Sequence, residues 1–321
     1  MRIPGTLAAL ALCCATLTAV AQSYPSSAVK LVVPYPPGGT ADLLGRLVSI
    51  KLGEALGQQV LVENRGGAGG NIGAEAVAKA APDGHTLLLG NAPVLAINPT
   101  LYKKIGFEPL RDFAPVGLVA TVPLMIVAHP SFQPTTLAQL IAAAKARPGQ
   151  IQYASGSNGS TTHLAVELLK SMAGIDMQHV PFKGSGPALA ALAGGQVPFM
   201  IELIPTALPF VKGGRLRGVA VTSTARSPLA PELPTMAESG LPGYEVSSWF
   251  GLLAPAKTSP AVVARLSADL QRIVKSQDMQ ERISNLGAEP VANTPDEFAA
   301  YMRSEVAKWA GVVKAAGATV D

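Results

Sequence analysis

Cysteine is almost missing from this chain: two in 321 residues, Cys13 and Cys14, adjacent and inside the first apolar run. Beyond that run no disulfide, thiolate metal site or cysteine nucleophile can be built. Aromatic residues make up 5% of the chain and charged residues 14%, with a formal net charge of only +4. Lys and Arg are scattered, and no row of aromatics offers bases a stacking surface, so nucleic acid is a poor candidate partner. Long hydrophobic runs are scarce too. After residue 21 every apolar stretch is cut by Pro, Gly or a charge before the roughly 20 residues a spanning helix needs. An isoelectric point of about 9.1 is compatible with anionic ligands and is weak evidence by itself.

Enzyme signatures are missing in the same way. The histidines stand at 85, 129, 163 and 179, with no His-Glu-x-x-His and no close pair, so neither a zinc site nor any other metal is expected. No Ser has Gly two residues away on both sides, which removes the nucleophile elbow. Gly66-Gly67-Ala68-Gly69-Gly70-Asn71-Ile72-Gly73 follows a strand pattern and opens a helix pattern. Yet the third Gly of G-x-G-x-x-G falls on Ile72, and the loop follows the second strand, not the first. It reads as a turn capped by Asn71. No Walker A spacing occurs, so no cofactor is expected.

What is present begins with an export signal. Arg2, the apolar run Leu7 to Leu17 and Ala19-Val20-Ala21 make a charged start, a short hydrophobic region and a small-residue cleavage site. Cleavage after Ala21 would start the mature chain at Gln22, in the periplasm. Leu12 before Cys13, and Cys13 before Cys14, argue against a lipid anchor, which needs a small residue there. About 300 residues remain, enough for two domains.

From Lys30 onward short apolar runs alternate with amphipathic helices. Leu31-Val32-Val33 reads as a strand and Pro34 to Gly39 as a stiffened loop. Thr40 and Asp42 open a helix carrying Leu43, Leu44, Leu47, Val48, Leu52 and Leu56, with Gly57 as its stop. Strands follow at 59–63 and 86–89 around a helix at 72–80. Strand and helix in alternation predict an α/β fold with a mainly parallel sheet, helices on both faces and ligands at the strands' C-terminal ends.

A second unit opens after Val116 to Val127, a β-branched run broken by Pro123. It has helices at 137–146, 162–172, 187–193 and near 206–211, and strands at 151–154, 177–180, 197–203 and 216–222. The run Tyr244 to Leu253 then reads as a strand crossing back to the first unit. Further helices start at Pro260 and at Thr294-Pro295-Asp296-Glu297, a capping box with Pro in the first turn. The organisation is therefore residues 1–21 as signal, 22–123 as the first part of lobe 1, 124–243 as lobe 2, and 244–321 returning to lobe 1.

Two loops share one pattern of strand, glycine with small hydroxyl residues, and helix start: Pro36 to Asp42, and Ser155 to Thr161. N–H groups at a helix N-terminus have no intrahelical partner and hold anions without Lys or Arg. Facing each other across a cleft, the two loops would close on a ligand by hinge motion. Asp42 has two readings: an acid favourable to its helix dipole, or a cleft residue that fixes the loop or meets a ligand ammonium. Glu202 ends an apolar strand, either beside the cleft or as an exposed strand-end carboxylate. Lys183 would face an anion or solvent. Ser157 and His163 flank one helix start, which suits capping or ligand contact better than catalysis.

Taken together, VVPYPPGGTAD (32–42), VENRGGAGGNIGA (62–74), AAPDGHTLLLGN (80–91), ASGSNGSTTHL (154–164), HVPFKGSGPAL (179–189), AVTSTARSP (220–228) and SSWFGLLAP (247–255) resemble one family. In this order they are similar to the Bug-type periplasmic substrate-binding components of tripartite tricarboxylate transporters. The resemblance runs from about residue 24 to the end of the chain and implies a two-lobed periplasmic-binding-protein fold with a hinge. It also implies a non-enzymatic, monomeric receptor that holds a small carboxylate (di- or tricarboxylate, amino acid or aromatic) through main-chain amides, hydroxyls and water. Two membrane components would receive the ligand. The contacts it implies are Gly38, Gly39, Thr40, Asp42 and Asn91 from lobe 1. From lobe 2 they are Ser155, Ser157, Gly159, Ser160, Thr161, His163, Lys183, Gly184 and Glu202. Three positions depart from the family pattern: Glu202 where Asp is usual, Gly66 where Arg-Pro-Gly has Pro, and Phe182 where Tyr is common. A sensor's ligand-presenting partner, or a nucleotide-dependent enzyme, are the alternative readings.

Overall fold

The computed structural model describes residues 24–320; the readings of the export signal and its cleavage site lie outside them. The first lobe opens with β1 (Val29–Val33), α1 (Thr40–Leu56), β2 (Val60–Asn64), α2 (Asn71–Ala78) and β3 (Thr86–Asn91). A π-helical turn at Pro93–Ile97 leads into the short α3 (Asn98–Leu101) and α4 (Pro109–Asp112). Strand β4 (Phe113–Ala128) then enters the second lobe. That lobe holds α5 (Leu137–Ala146), β5 (Gln152–Ser155), α6 (Thr161–Ala173), β6 (Gln178–Pro181), α7 (Ser185–Ala193), β7 (Phe199–Leu203), α8 (Ile204–Lys212) and β8 (Arg217–Val221). The chain returns through β9 (Ser247–Pro255), α9 (Pro260–Val274), α10 (Gln277–Asn285), β10 (Glu289–Pro290) and α11 (Pro295–Ala316).

Period-two burial explains the layers. In β1, Leu31 and Val33 pack under α1 with Leu44, Val48 and Leu52, while Val32 points to the opposite face with Leu88 of β3. The inner strands β1, β3 and β9 are buried on both faces over most of their length, while the outer β2 is only partly covered. Each such Leu or Val contributes roughly 1.5–3 kcal/mol relative to an exposed position. Lobe 2 repeats the arrangement: Met125 and Val127 of β4 pack with α7 and α8, and Ile126 packs on the other face. The final helix carries the capping box read from Thr294 and Glu297. It is fixed to the sheet by Glu305, whose Oε2 accepts from both Trp249 and Trp309 indole N–H groups at 3.0 Å.

Strands β2, β1 and β3 are parallel, but β9 inserts antiparallel between β3 and β4. Strand β4 is the element the two lobes share. Over Phe113–Pro123 it pairs with β9, and over Leu124–Ala128 with β7 and β8. Pro123 sits at the switch, where a ladder hydrogen bond can be forgone. The buried Thr222 side chain ties the two crossing segments together there. Its hydroxyl accepts the Leu124 N–H at 2.9 Å and donates to the Val246 carbonyl at 2.6 Å.

Candidate ligand-binding site

A cavity of about 630 Å³ lies between the lobes. Three helices open on it: α1 at Thr40 from lobe 1, α6 at Thr161 and α7 at Ser185 from lobe 2. The N-caps of α1 and α7 are Gly39 and Gly184, with no side-chain cap. By contrast α5, α9, α10 and α11 are each capped by a Ser or Thr side chain, and none of those caps lines the cavity. At α1 and α7 no side chain therefore takes the first-turn N–H groups where the lobes face each other, whereas α6 is capped by Ser160.

In the lobe 1 jaw, Asp42 is 3% exposed and turned into its own loop. Its Oδ2 accepts the Gly38 N–H at 3.0 Å and the Arg46 Nε–H at 3.1 Å, and its Oδ1 accepts from Asn64 at 2.9 Å and pairs with Arg46 at 3.0 Å. The Arg46 guanidinium, aided by Gly38 and Asn64, holds the carboxyl below its usual range against the opposing effect of burial. Asn64 also donates to the Tyr35 carbonyl at 3.1 Å, so one network fixes both ends of the Pro-Pro-Gly-Gly loop. Asn91 lines the cavity, and its Oδ1 accepts the Tyr35 hydroxyl at 3.1 Å and the Val94 N–H at 3.2 Å.

The lobe 2 jaw is held by neutral groups. His163 Nδ1 accepts the Gly159 N–H at 3.0 Å, so its proton sits on Nε2. Ser155 Oγ lies 2.6 Å from His179 Nε2 and donates to the Ser157 carbonyl at 3.0 Å. Ser160 caps α6 and also donates to the Ser157 carbonyl, at 2.7 Å. The two imidazoles stack with centroids 3.8 Å apart. Burial pushes His163 down to about 3 and His179 down to about 4. Gly159 has φ +71°, and a Cβ there would come within 2.4 Å of Leu101 from lobe 1. Glycine thus serves both the left-handed turn and the contact between lobes.

Of the residues expected at the site, Gly39, Thr40, Asn91, Ser157, Gly159, Ser160, Thr161 and Gly184 line the cavity. Gly38, Asp42, Ser155 and His163 stand behind that surface and shape the loops. Lys183 is exposed to solvent and lines nothing. Glu202 is fully buried rather than exposed at its strand end. Its Oε1 accepts the Leu203 N–H at 2.9 Å and the Thr206 hydroxyl at 3.0 Å. Burial raises its pKa, with Ser185, Leu203 and Thr206 opposing. The glycine-rich loop proves to be a packing device. A Cβ at Gly73 would come within 2.6 Å of the Arg65 carbonyl, and Asn71 caps nothing, its Oδ1 accepting from Asn98 at 2.8 Å.

Sequence reasoning missed Tyr35, Leu101, Tyr102, Ser185, Phe250 and Val320 as part of the cavity wall. Ser248 and Phe250, two apart on β9, carried a usable signal, since alternate residues share a strand face. The last described residues also reach the wall. Val320 N–H donates to the Leu101 carbonyl at 3.2 Å, and Asn158 of lobe 2 donates to the Thr319 carbonyl at 3.0 Å.

Comparison with known proteins agrees with this geometry. Residues 44–318 match the TctC family, described as the tripartite tricarboxylate transporter family receptor. This chain belongs to the tripartite tricarboxylate transporter receptor family. Protein BugT of Bordetella pertussis is 40% identical to this receptor over 299 residues, 93% of this chain and 92% of that protein. Among solved structures, Rhodopseudomonas palustris Rpa4515 with adipate superposes with a TM-score of 0.79 at 38% identity, covering 92% of this chain and all of that one, 100%. MatC from the same organism, with bound malate, gives 0.75 at 34% identity over 90% of this chain and 100% of its own. The fold is that of two-lobed periplasmic binding proteins, and these relatives are binding proteins rather than enzymes.

Proposed function

We propose that the protein is an exported receptor that captures a small carboxylate between its lobes and delivers it to membrane components of a tripartite transporter. The observation that carries this reading is the pair of glycine-capped helix N-termini, α1 and α7, opening from opposite lobes on one cavity. Each offers unpaired N–H donors and roughly half a positive charge, which suits a carboxylate better than a cation or a nucleobase. Among the residues behind the jaws, His163 is occupied by the Gly159 N–H and is not poised as a general base, so the reading includes no catalysis. Adipate and malate, bound to Rpa4515 and MatC, support small carboxylates as the class.

Calorimetry with carboxylates tests the proposal. Thr40→Ala and Asp42→Ala should each weaken the bound carboxylate about tenfold, near 1.4 kcal/mol, with the far-UV spectrum unchanged. Unaltered affinity in both would remove the lobe 1 jaw from the site. Export predicts a mature protein beginning at Gln22, and intact mass spectrometry of the periplasmic fraction checks it; a retained N-terminus would refute periplasmic delivery.

A further inference from the structure

One buried acid has no role in holding the jaws. Glu202, fully buried, leaves β7 on the same face as Met200, in register with Met125 of β4, and so enters the apolar layer beneath α7 and α8. Its Oε1 accepts the Leu203 N–H and the Thr206 hydroxyl at the N-terminal end of α8. Its Oε2 is buried as well and has no partner among the described residues. Leaving a buried acceptor bare is costly, so the position calls for a donor.

Ser185 connects this carboxyl to the cavity. It is the first residue of α7, is partly exposed and lines the cavity wall. Its hydroxyl lies near enough to offset burial at Glu202 more than Leu203 or Thr206 does, although no hydrogen bond to Oε2 is formed. The donors at Ser185, Leu203 and Thr206 and the positive end of α8 all favour the ionised acid against the opposing effect of burial. A serine hydroxyl has one proton to give and two lone pairs. Once the proton is committed to Oε2, only lone pairs face the cavity.

We infer that Glu202 makes Ser185 an acceptor and so sets specificity: the captured carboxylate carries a hydroxyl or amino group close to its carboxyl carbon, and that group donates to Ser185 Oγ. This rests on the receptor reading given above and deepens it.

Three matched sets, titrated by calorimetry on the mature full chain, test it. Each has hydrogen, hydroxyl or amino on carbon 2: propanoate, lactate and alanine; succinate, malate and aspartate; phenylacetate, mandelate and phenylglycine. In whichever set binds, the hydroxyl or amino member should bind about tenfold more tightly than the parent, and the member that gains identifies the donor. Glu202→Gln must keep its carbonyl toward Leu203 and Thr206. Its NH2 then takes the Oε2 place and donates to Ser185, turning the hydroxyl proton into the cavity. That variant should abolish the preference, and so should Ser185→Ala, a change at a partly exposed residue. A parent as tight as both other members in the wild-type protein would overturn the donor subsite while leaving a carboxylate receptor. A preference that survives either substitution, even with every member of the set weakened alike, would overturn the roles given to Glu202 and Ser185. Silence from all three sets would instead overturn the receptor reading itself.

Discussion

The two jaws do one job by different chemistry. Each presents a helix N-terminus to the same cavity, and each needs a loop held still behind it. In lobe 1 the holding group is a carboxylate, Asp42, bridged to an Arg46 side chain that is 52% exposed. In lobe 2 it is a stack of neutral imidazoles beneath the loop, the buried His163 against the half-buried His179, with Tyr153 beside them. An ion pair open to water is worth little and is screened by salt. A buried neutral acceptor is worth more, because removing it leaves a buried donor with no partner. The lobe 2 jaw is therefore the more rigid and the more vulnerable to substitution.

The largest expected effect comes from breaking that stack. His163→Ala strands the buried Gly159 N–H and removes a packed ring, so urea unfolding should show a loss of about 2–4 kcal/mol together with carboxylate binding. A loss below about 0.5 kcal/mol would mean the loop is held by something else. Asp42→Asn is gentler, since an amide oxygen still accepts from Gly38 or Asn64. It should cost about 1 kcal/mol in dilute buffer and less in 1 M salt, where screening shortens the reach of Arg46 to about 3 Å. Salt independence of that difference would show that the pair is not the relevant contact.

Acid separates the jaws by window. A free histidine titrates near 6.5, whereas His163 and His179 in the fold sit at about 3 and about 4. Below pH 6.5 the unfolded chain takes up protons the folded chain refuses, so their contribution is complete above that value and falls progressively as pH drops toward 4 and 3. Asp42 is held below 3.8, so its contribution is complete above that value and is lost only as pH falls beneath it. Urea midpoints should thus decline between pH 6.5 and 4 because of lobe 2. Replacing both histidines by Gln should flatten that decline from a lower starting stability. An equally steep decline in the double variant would place the titrating group elsewhere.

How much of this was readable from the sequence follows the range of the interactions. Local signals came through: the Leu44, Val48 and Leu52 stripe, the Gly57 stop, the Thr294 capping box, and the two Gly-hydroxyl loops before helices. The segment 92–112 did not, because Pro93 and Pro99 interrupt any helical period. Yet it supplies Leu101 and Tyr102 to the wall. Helix α10 escaped for another reason, since only Met279 and Ile283 of its nine residues are buried. The strand read over Tyr244 to Leu253 was expected to return to lobe 1; the observed strand, Ser247–Pro255, does. Its antiparallel insertion, which carries Phe250 to the cavity, is a tertiary outcome that no local pattern encodes. His163 was placed among ligand contacts because the family resemblance implies it there. Whether such a side chain points into a cleft or back under its own loop depends on what packs beneath it, here His179 and Tyr153.

The stretch Thr319–Val320 bonds to Asn158 of one lobe and Leu101 of the other, so the last described residues help wall the cavity between the lobes. An affinity tag fused after residue 321 would emerge at the rim of the cavity, where its own carboxylates and imidazoles could enter the space meant for the solute. Binding assays on this receptor belong on protein tagged behind the signal sequence, or on protein from which the tag has been removed.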